Sequence, residues 1–252
     1  MIEPKPPKNW RELQNNVTKI LIESGLKAES PKKINTVRGS VEIDVFAVDY
    51  SINPASVYLC ECKYWRKKVV QGEVFKFITI VSDYGANWGL IISSKGFQPG
   101  SYKAIKNSNI KLLDWNEFQN LFFERWYLNY FCPKLRKEAE PLIDYIEPFN
   151  SRIFNKADLL TSQSQEKFKT LRDKYKNLAY FILSSFAHLY IPMRPLDTNE
   201  IPNLPLSNEK RFENSLPVDI LNAISYRELL GNLIKHIRRG LSDFDKIFGG
   251  RV

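Results

Sequence analysis

Two β-prone stretches, residues 41–48 and 57–63, constrain the fold of this chain most. In the first stretch apolar residues recur at every second position, which is the pattern of a strand with one buried face. The second stretch, VYLCECK, is rich in residues that favour strands. Between them, Ser-Ile-Asn-Pro at residues 51–54 predicts a turn. We therefore expect two neighbouring strands joined by a short connection.

Helical and strand patterns continue on both sides of this pair. Asn9 and Gly25 are typical of the beginning and end of a helix, and the apolar spacing between them predicts a helix over residues 10–24. Further along, the sequence predicts a helix at 71–84, a buried strand at 88–94, a turn at 96–100, a short helix at 102–108, a strand at 110–113 and a helix from Trp115 to about Tyr130. The order α-β-β-α-β-α-β predicts an α/β fold, a mixed sheet flanked by helices.

The hydrophobic pattern changes after Pro133, where strand-like alternation gives way to helical periodicity. One long helix or two shorter ones are expected at residues 158–190, and a last helix at 218–241. The connector between them, 191–217, holds five of the 14 prolines and is expected to be a loop. The sequence thus predicts two domains, an α/β domain at residues 1–131 and a mainly α-helical domain at 132–252.

Composition limits the function classes. The formal net charge of +9 favours a polyanionic partner over an acidic protein. The two histidines, His188 and His236, are far apart, which excludes a zinc finger, a histidine-based nuclease and a catalytic triad. Three cysteines cannot build a disulfide framework, the first ten residues lack an apolar core of the length typical of a signal peptide, and no run of 18 apolar residues occurs. We expect a soluble cytoplasmic protein without a membrane partner.

Asp44, Glu61 and Lys63 form the most informative chemical pattern. Residues two apart in a strand point to the same face, so Glu61 and Lys63 should project together. If the two strands pair, Asp44 comes close to Glu61, and a divalent cation with oxygen ligands would relieve the repulsion between the carboxylates. Such a group suits phosphodiester hydrolysis. The alternative is an ordinary surface strand, but the charges follow the apolar residues Leu59 and Cys60, where burial of unpaired charge is costly.

These residues resemble the PD-(D/E)xK nuclease superfamily, specifically its Mrr-like restriction endonucleases, which are similar in plan to archaeal Holliday-junction resolvases. The resemblance runs from Trp10 to about Phe122 and implies a core of the order α-β-β-β-α-β. The matching residues are Glu12, Gly39 with Val41-Glu42-Ile43-Asp44-Val45, Glu61-Cys62-Lys63, Gln71, and the strand Gly89-Leu90-Ile91-Ile92-Ser93.

The resemblance implies a role for each matching residue. Asp44 and Glu61 would bind Mg²⁺ or Mn²⁺, Lys63 would orient the attacking water, and Glu12 would add a third metal ligand from the first helix. Gln71 would orient the substrate or the lysine. Each of the last two has an alternative, since Glu12 also fits a capping box with Asn9 and Gln71 fits the exposed start of a helix. Glu42, on the predicted strand face of Asp44, is either a further ligand or a solvated carboxylate.

The segment after the second strand, Tyr64-Trp65-Arg66-Lys67-Lys68, combines two aromatic residues with three cations. It lies where the scissile DNA would have to pass, so we expect Arg66, Lys67 and Lys68 to contact phosphates. The alternative is a solubilising turn.

The function that these residues and the resemblance imply is a metal-dependent DNA endonuclease acting in defence against foreign or phage DNA. Two alternatives remain open: a structure-specific nuclease of repair or recombination, of the junction-resolvase type, and a catalytically degenerate DNA-binding or assembly module. The expected partners are DNA and a second copy of the chain, because two active sites are needed to cut both strands. The helical domain is expected to serve oligomerisation, or to bind a partner protein or a sensed ligand.

Overall fold

The computed structural model describes residues 1–148, 150–186, 196, 201–212 and 215–250. The chain divides into two compact units. The first comprises Met1 and Lys5–Tyr130, and the second comprises Ile2–Pro4 and Phe131–Val252. The first unit is an α/β fold with a mixed sheet flanked by helices and the second is helical, which confirms the predicted fold class.

The first unit holds all seven strands and four of the helices among the described residues. The strands are β1 (Lys27–Glu29), β2 (Lys32–Thr36), β3 (Gly39–Ile43), β4 (Val45–Asp49), β5 (Ser56–Lys63), β6 (Trp88–Ser93) and β7 (Ile110–Leu113). The helices are α1 (Trp10–Glu23), α2 (Gln71–Tyr84), α3 (Pro99–Ala104) and α4 (Trp115–Trp126), the last followed by a π-helical turn at Tyr127–Phe131.

The main sheet has the strand order β1-β4-β5-β6-β7. The strands β1, β4 and β5 pair antiparallel, whereas β5, β6 and β7 pair parallel, so the carboxyl ends of the last three meet at one edge. The helix α2 buries Val74, Phe77 and Val81 in a core that includes Leu59 of β5. Because side chains alternate along a strand, Glu61 lies on the same sheet face as Leu59.

Most elements predicted from the sequence are confirmed, but residues 41–48 are not one strand. The chain bends at Asp44, so that β3 pairs with β2 in a separate hairpin while β4 joins the main sheet. The strands β1 and β2 were not predicted, because Ala28 and Ile34 are their only apolar residues and no alternation is visible. The helix expected at 102–108 instead begins at Pro99, whose fixed φ suits the first position of a helix.

Gly89 shows how tightly β6 packs. A Cβ atom at this position would lie 2.4 Å from the Ile110 side chain, 2.8 Å from that of Val81 and 2.9 Å from that of Phe77. These distances are well inside van der Waals contact. Glycine therefore allows α2 and β7 to close over this strand.

The described part of the second unit contains helices and loops but no strand. The α-helices are α5 (Cys132–Ile146), α6 (Ser151–Asp158), α7 (Ser162–Ser185), α8 (Val218–Leu221) and α9 (Tyr226–Phe248), and two short 3₁₀ helices lie at Leu206–Asn208 and Lys210–Phe212. An aromatic core joins α5, α7 and α9, with the rings of Tyr145 and Phe244 stacked at 4.5 Å and Phe168 edge-on to Phe244 at 5.9 Å. Within the described ranges, no helix combines the length and apolar character needed to cross a bilayer.

Two helices predicted for the second unit have different boundaries in the structure. The helix expected over 158–190 divides into the end of α6 and all of α7, and its predicted last residues, with His188, lie outside the described residues. The helix expected over 218–241 is broken after α8, and α9 continues to Phe248. A new helix begins after Ser225, because the Ser225 hydroxyl caps it by accepting a hydrogen bond from the Glu228 amide.

Candidate active site

Asp44 lies at the bend between β3 and β4, next to β5. The antiparallel register of β4 and β5 pairs Val45 with Cys60, and its continuation by one residue brings Asp44 opposite Glu61. The Cys62 amide donates a hydrogen bond of 2.6 Å to Oδ2 of Asp44, where the ladder between the two strands has ended. The bend thus directs the Asp44 carboxylate to the edge of β5.

Gln14 of α1 supports this bend and was missed in the sequence analysis. Its side-chain amide donates a hydrogen bond of 2.9 Å to the backbone carbonyl of Asp44, and the residue is 5% exposed. A buried polar side chain requires such a partner. The signal in the sequence was a glutamine next to Leu13, on the apolar side of an amphipathic helix.

Glu61 and Lys63 form an ion pair on the same face of β5, with 2.8 Å between Oε1 and Nζ. The Lys63 side chain is only 15% exposed. Its ammonium also lies 3.6 Å from Oε2 of Glu73, in the first turn of α2. Glu73 was missed because an acidic residue in a first helical turn is common for its interaction with the helix dipole alone. The site therefore contains a third carboxylate beside the lysine.

The electrostatics of the site favour a bound cation. Burial raises the pKa of Asp44, although the hydrogen bond from Cys62 opposes this shift. Burial also raises the pKa of Glu61, and the nearby Asp44 carboxylate raises it further. Burial lowers the pKa of Lys63, but the hydrogen bond to Glu61 and the charges of Glu61 and Glu73 outweigh it, so the net shift is upward. Two carboxylates that burial and mutual repulsion disfavour as anions gain from a divalent cation between them.

Glu12 lies in the first turn of α1, whose N-cap residue is Asn9. Oδ1 of Asn9 accepts a hydrogen bond of 2.8 Å from the Glu12 amide, and Oε2 of Glu12 accepts one of 2.9 Å from the amide of Lys8 rather than that of Asn9. Among the described residues, no group of three or more His, Cys, Asp or Glu side chains is arranged to hold a metal ion. Only one half of the expected capping box is therefore present, the bond from the Glu12 amide to Asn9, and the metal role of Glu12 stays a prediction.

Gln71 is the exposed first residue of α2. Its side chain lies against α3, where a Cβ added to Gly100 would be 3.2 Å from Oε1 of Gln71. It is Glu73, two residues later, that reaches Lys63. The role of Gln71 at the substrate or the lysine stays a prediction. Glu42, in β3, is exposed.

A magnesium ion fits the pair Asp44 and Glu61. Mg²⁺ prefers oxygen ligands and usually takes only one or two carboxylates from the protein, together with waters and substrate phosphates. Asp44 and Glu61 supply two carboxylates on adjacent chain segments, so a cluster of three protein ligands is not required. Cys60 and Cys62 have buried thiols, and burial raises the pKa of both, so neither offers a thiolate.

The basic segment after β5 is exposed at Arg66, Lys67 and Lys68. Trp65, 39% exposed, lies under the Lys63 ammonium, which is 4.9 Å from its ring centroid. This geometry is a cation–π contact. The contact joins this segment to the Lys63 ammonium, and the phosphate contacts of Arg66, Lys67 and Lys68 stay a prediction. The histidine that the structure describes, His236, lies in the second unit, where its Nε2 is 2.7 Å from Oδ1 of Asp219.

A family comparison agrees with this geometry. Residues 8–122 match the family model Mrr_cat, which is described as a restriction endonuclease. This segment belongs to that family. The match spans α1 through the sheet to α4 and contains every residue of the candidate active site. The chain therefore carries a restriction endonuclease domain, as the resemblance implied. No curated protein matches the chain.

The similarity of the chain to solved structures is weaker than its match to the family model. AF1548, a protein of unknown function, is 21% identical over 44% of this chain and 63% of its own, with a TM-score of 0.38. The restriction endonuclease MspJI in complex with a 27-mer oligonucleotide is 12% identical over 46% of this chain and 28% of its own, with a TM-score of 0.31. The DNA modification-dependent restriction endonuclease AspBHI is 10% identical over 49% of this chain and 40% of its own, with a TM-score of 0.24. The chain spans less than two thirds of each of these proteins, and the assignment rests on the family match.

Proposed function

We propose that this protein is a Mg²⁺-dependent DNA endonuclease that hydrolyses phosphodiester bonds. The observation that carries the proposal is the convergence of Asp44, Glu61 and Lys63 at the junction of β4 and β5, inside a segment of the restriction endonuclease family. A magnesium ion held by Asp44 and Glu61 would polarise the phosphoryl group and make a water molecule more acidic.

The chain's own residues account for the rest of the chemistry. Gln14 and the Cys62 amide hold Asp44 in place. Lys63 lies 3.6 Å from the Glu73 carboxylate as well, so its ammonium would still have a negatively charged partner if Glu61 held a metal ion. That ammonium would orient the attacking water or stabilise the charge that develops on the phosphate. Arg66, Lys67 and Lys68 would bind the flanking phosphates, largely independently of DNA sequence.

The experiment incubates supercoiled plasmid with the full chain in Mg²⁺ and in EDTA, and resolves the products on a gel. Wild type nicks the plasmid in Mg²⁺ and not in EDTA, and Lys63→Ala is at least about a hundredfold slower. Lys106→Ala, an exposed lysine after α3, is the matched control and keeps wild-type activity. Metal-independent nicking, or full activity of Lys63→Ala, would overturn the proposal.

The biological role that we propose is defence against foreign or phage DNA, which is the role of restriction endonucleases generally. Plating efficiency of phage on cells with wild type or Lys63→Ala tests the defence role, and equal plating on both would contradict it.

We propose that the protein works as a homodimer in the cytoplasm, because cutting both strands requires two active sites. We also propose that the helical second unit serves assembly or binds a partner. Light scattering of the purified chain tests the dimer, and a monomeric active enzyme would contradict it.

A further inference from the structure

A cleft of about 800 Å³ lies at the carboxyl ends of the three parallel strands. One part of its lining comes from the segments that follow each strand: Tyr64, Trp65 and Arg66 after β5, Ser94 and Lys95 after β6, and Asp114, Trp115 and Asn116 after β7. The other part is mainly apolar and comes from the N-terminal segment and α1, with Met1, Pro6, Pro7 and Leu13. In open α/β sheets, ligands bind in the crevice beyond the carboxyl ends of the strands. The volume is within the range of about 300–1,000 Å³ that is usual for small-ligand sites.

The cleft borders the candidate active site without containing its carboxylates. Lys63 is the last residue of β5, and the cleft begins at the next residue, Tyr64. The Lys63 carbonyl accepts a hydrogen bond of 3.0 Å from the Ser94 amide, which fixes the two strand ends together. Trp65 both lines the cleft and carries the Lys63 ammonium over its ring. A group in the cleft would therefore lie within one residue of the proposed catalytic lysine.

The lining favours a nucleobase over other occupants. Tyr64 and Trp65 are 38% and 39% exposed, and partly exposed aromatic rings are the surfaces on which unpaired bases stack. Arg66 and Lys95 supply the cations that flanking phosphates require. The Asn116 amide can donate to and accept from a base edge.

We propose that this cleft binds an unstacked nucleobase of the DNA strand next to the scissile phosphate. The inference rests on the proposed nuclease function and adds a substrate class to it. A base in a continuous duplex enters a pocket only after it is unpaired and flipped out of the stack, and this costs free energy that an unpaired base does not require. The cleft therefore favours DNA with unpaired nucleotides close to the cleavage point, such as single strands, bulges or mismatches.

The test measures binding of the full chain to fluorescein-labelled DNA of about 12 nucleotides, a length typical of single-strand sites. Fluorescence anisotropy is recorded in EDTA, which prevents cleavage, for a single strand and for the fully paired duplex. Tyr64→Leu and Asn116→Ala each bind the single strand about tenfold more weakly than wild type, and bind the duplex within about twofold of it. Arg66→Ala weakens both, because phosphates are present in both.

Tyr50→Leu is the matched control, since Tyr50 is 67% exposed and follows β4 at the opposite edge of the sheet from the cleft. It binds both DNAs as wild type does. Unchanged single-strand binding by Tyr64→Leu and Asn116→Ala overturns the cleft proposal, as does an equal loss on single strand and duplex. Thermal unfolding shows whether each variant is folded. If only one of Tyr64→Leu and Asn116→Ala is folded, the binding result of that variant alone decides the proposal.

This result is separable from that of the plasmid assay. If wild type binds the single strand through Tyr64 but never nicks plasmid in Mg²⁺, the nuclease function fails and the cleft stands. If wild type nicks plasmid and the cleft variants bind single strands normally, only the cleft proposal fails.

Discussion

Replacement of Arg125 by methionine tests how α4 is fixed to the sheet that carries the active site. Arg125 in α4 forms an ion pair with Asp49, the last residue of the strand β4 that begins beside Asp44. The Asp49 side chain is 2% exposed. The hydrogen bond from Arg125 holds the pKa of Asp49 well below its usual range, although burial alone would raise it. Methionine keeps the length of the side chain and removes the charge.

The expected loss of stability follows from the contacts that remain. Breaking one partner of a buried ion pair costs about 3–5 kcal/mol. Asp49 keeps hydrogen bonds from the amide and hydroxyl of Ser51, at 3.0 and 2.6 Å, and the Arg125 side chain is 32% exposed, so water replaces part of the interaction. We therefore expect Arg125→Met to lower the free energy of unfolding by about 2–3 kcal/mol at pH 7.

The effect should depend on pH. Because the pKa of Asp49 is lower in the folded protein than in the unfolded chain, ionised Asp49 stabilises the fold above the unfolded pKa. That stabilisation is lost as the pH falls below about 4 toward the folded pKa. The difference in unfolding free energy between wild type and Arg125→Met should therefore be complete at pH 7 and narrow in acid.

Urea denaturation followed by tryptophan fluorescence measures this difference for the first unit, because all five tryptophans lie between residues 10 and 126. Lys32→Met, also in the first unit, is the control, since the pair of Lys32 with Glu29 is exposed and should contribute less than about 1 kcal/mol. A loss below about 1 kcal/mol for Arg125→Met, or one that is as large at pH 3 as at pH 7, would refute the reasoning.

Three further outcomes are expected. Gly89→Ala should lower the free energy of unfolding by about 1–3 kcal/mol in the same urea assay, because its Cβ would overlap three side chains at 2.4–2.9 Å; an unchanged midpoint would contradict the packing. Gln14→Leu should slow plasmid nicking about tenfold with little loss of secondary structure by circular dichroism, because it frees the backbone of Asp44. Glu73→Gln should slow nicking about tenfold and Glu73→Asp less, because Lys63 loses its second carboxylate; equal rates for both variants and wild type would exclude Glu73 from the site.

Local patterns predicted the elements whose hydrophobic pattern is clear. The helix α2 and the strands β5 to β7 were predicted within about a residue or two, because each has a clear period or an apolar run. The bend at Asp44 was not predicted, since alternation over residues 41–48 is the same whether the strand is continuous or broken. Only the pairing of β3 with β2 and of β4 with β5 reveals the bend.

The sequence predicted the relative placement of residues that are close together in the chain. It did not predict contacts between residues that are far apart in the chain. The strand period alone places Glu61 and Lys63 on one face, as the structure shows. Gln14 acts on Asp44 from 30 residues away, and Arg125 acts on Asp49 from 76 residues away. Such pairs have no local signature, because tertiary packing brings the two residues together.

The central claim is that Asp44 and Glu61 bind one divalent cation, and direct titration of Mn²⁺ into the DNA-free protein, followed by electron paramagnetic resonance, tests it most directly. Wild type should bind Mn²⁺ in competition with Mg²⁺, Glu61→Gln and Asp44→Asn should bind it at least about tenfold more weakly, and Glu42→Gln, at the exposed carboxylate of β3, should bind as wild type does. Equal Mn²⁺ affinity in wild type, Glu61→Gln and Asp44→Asn would contradict the account.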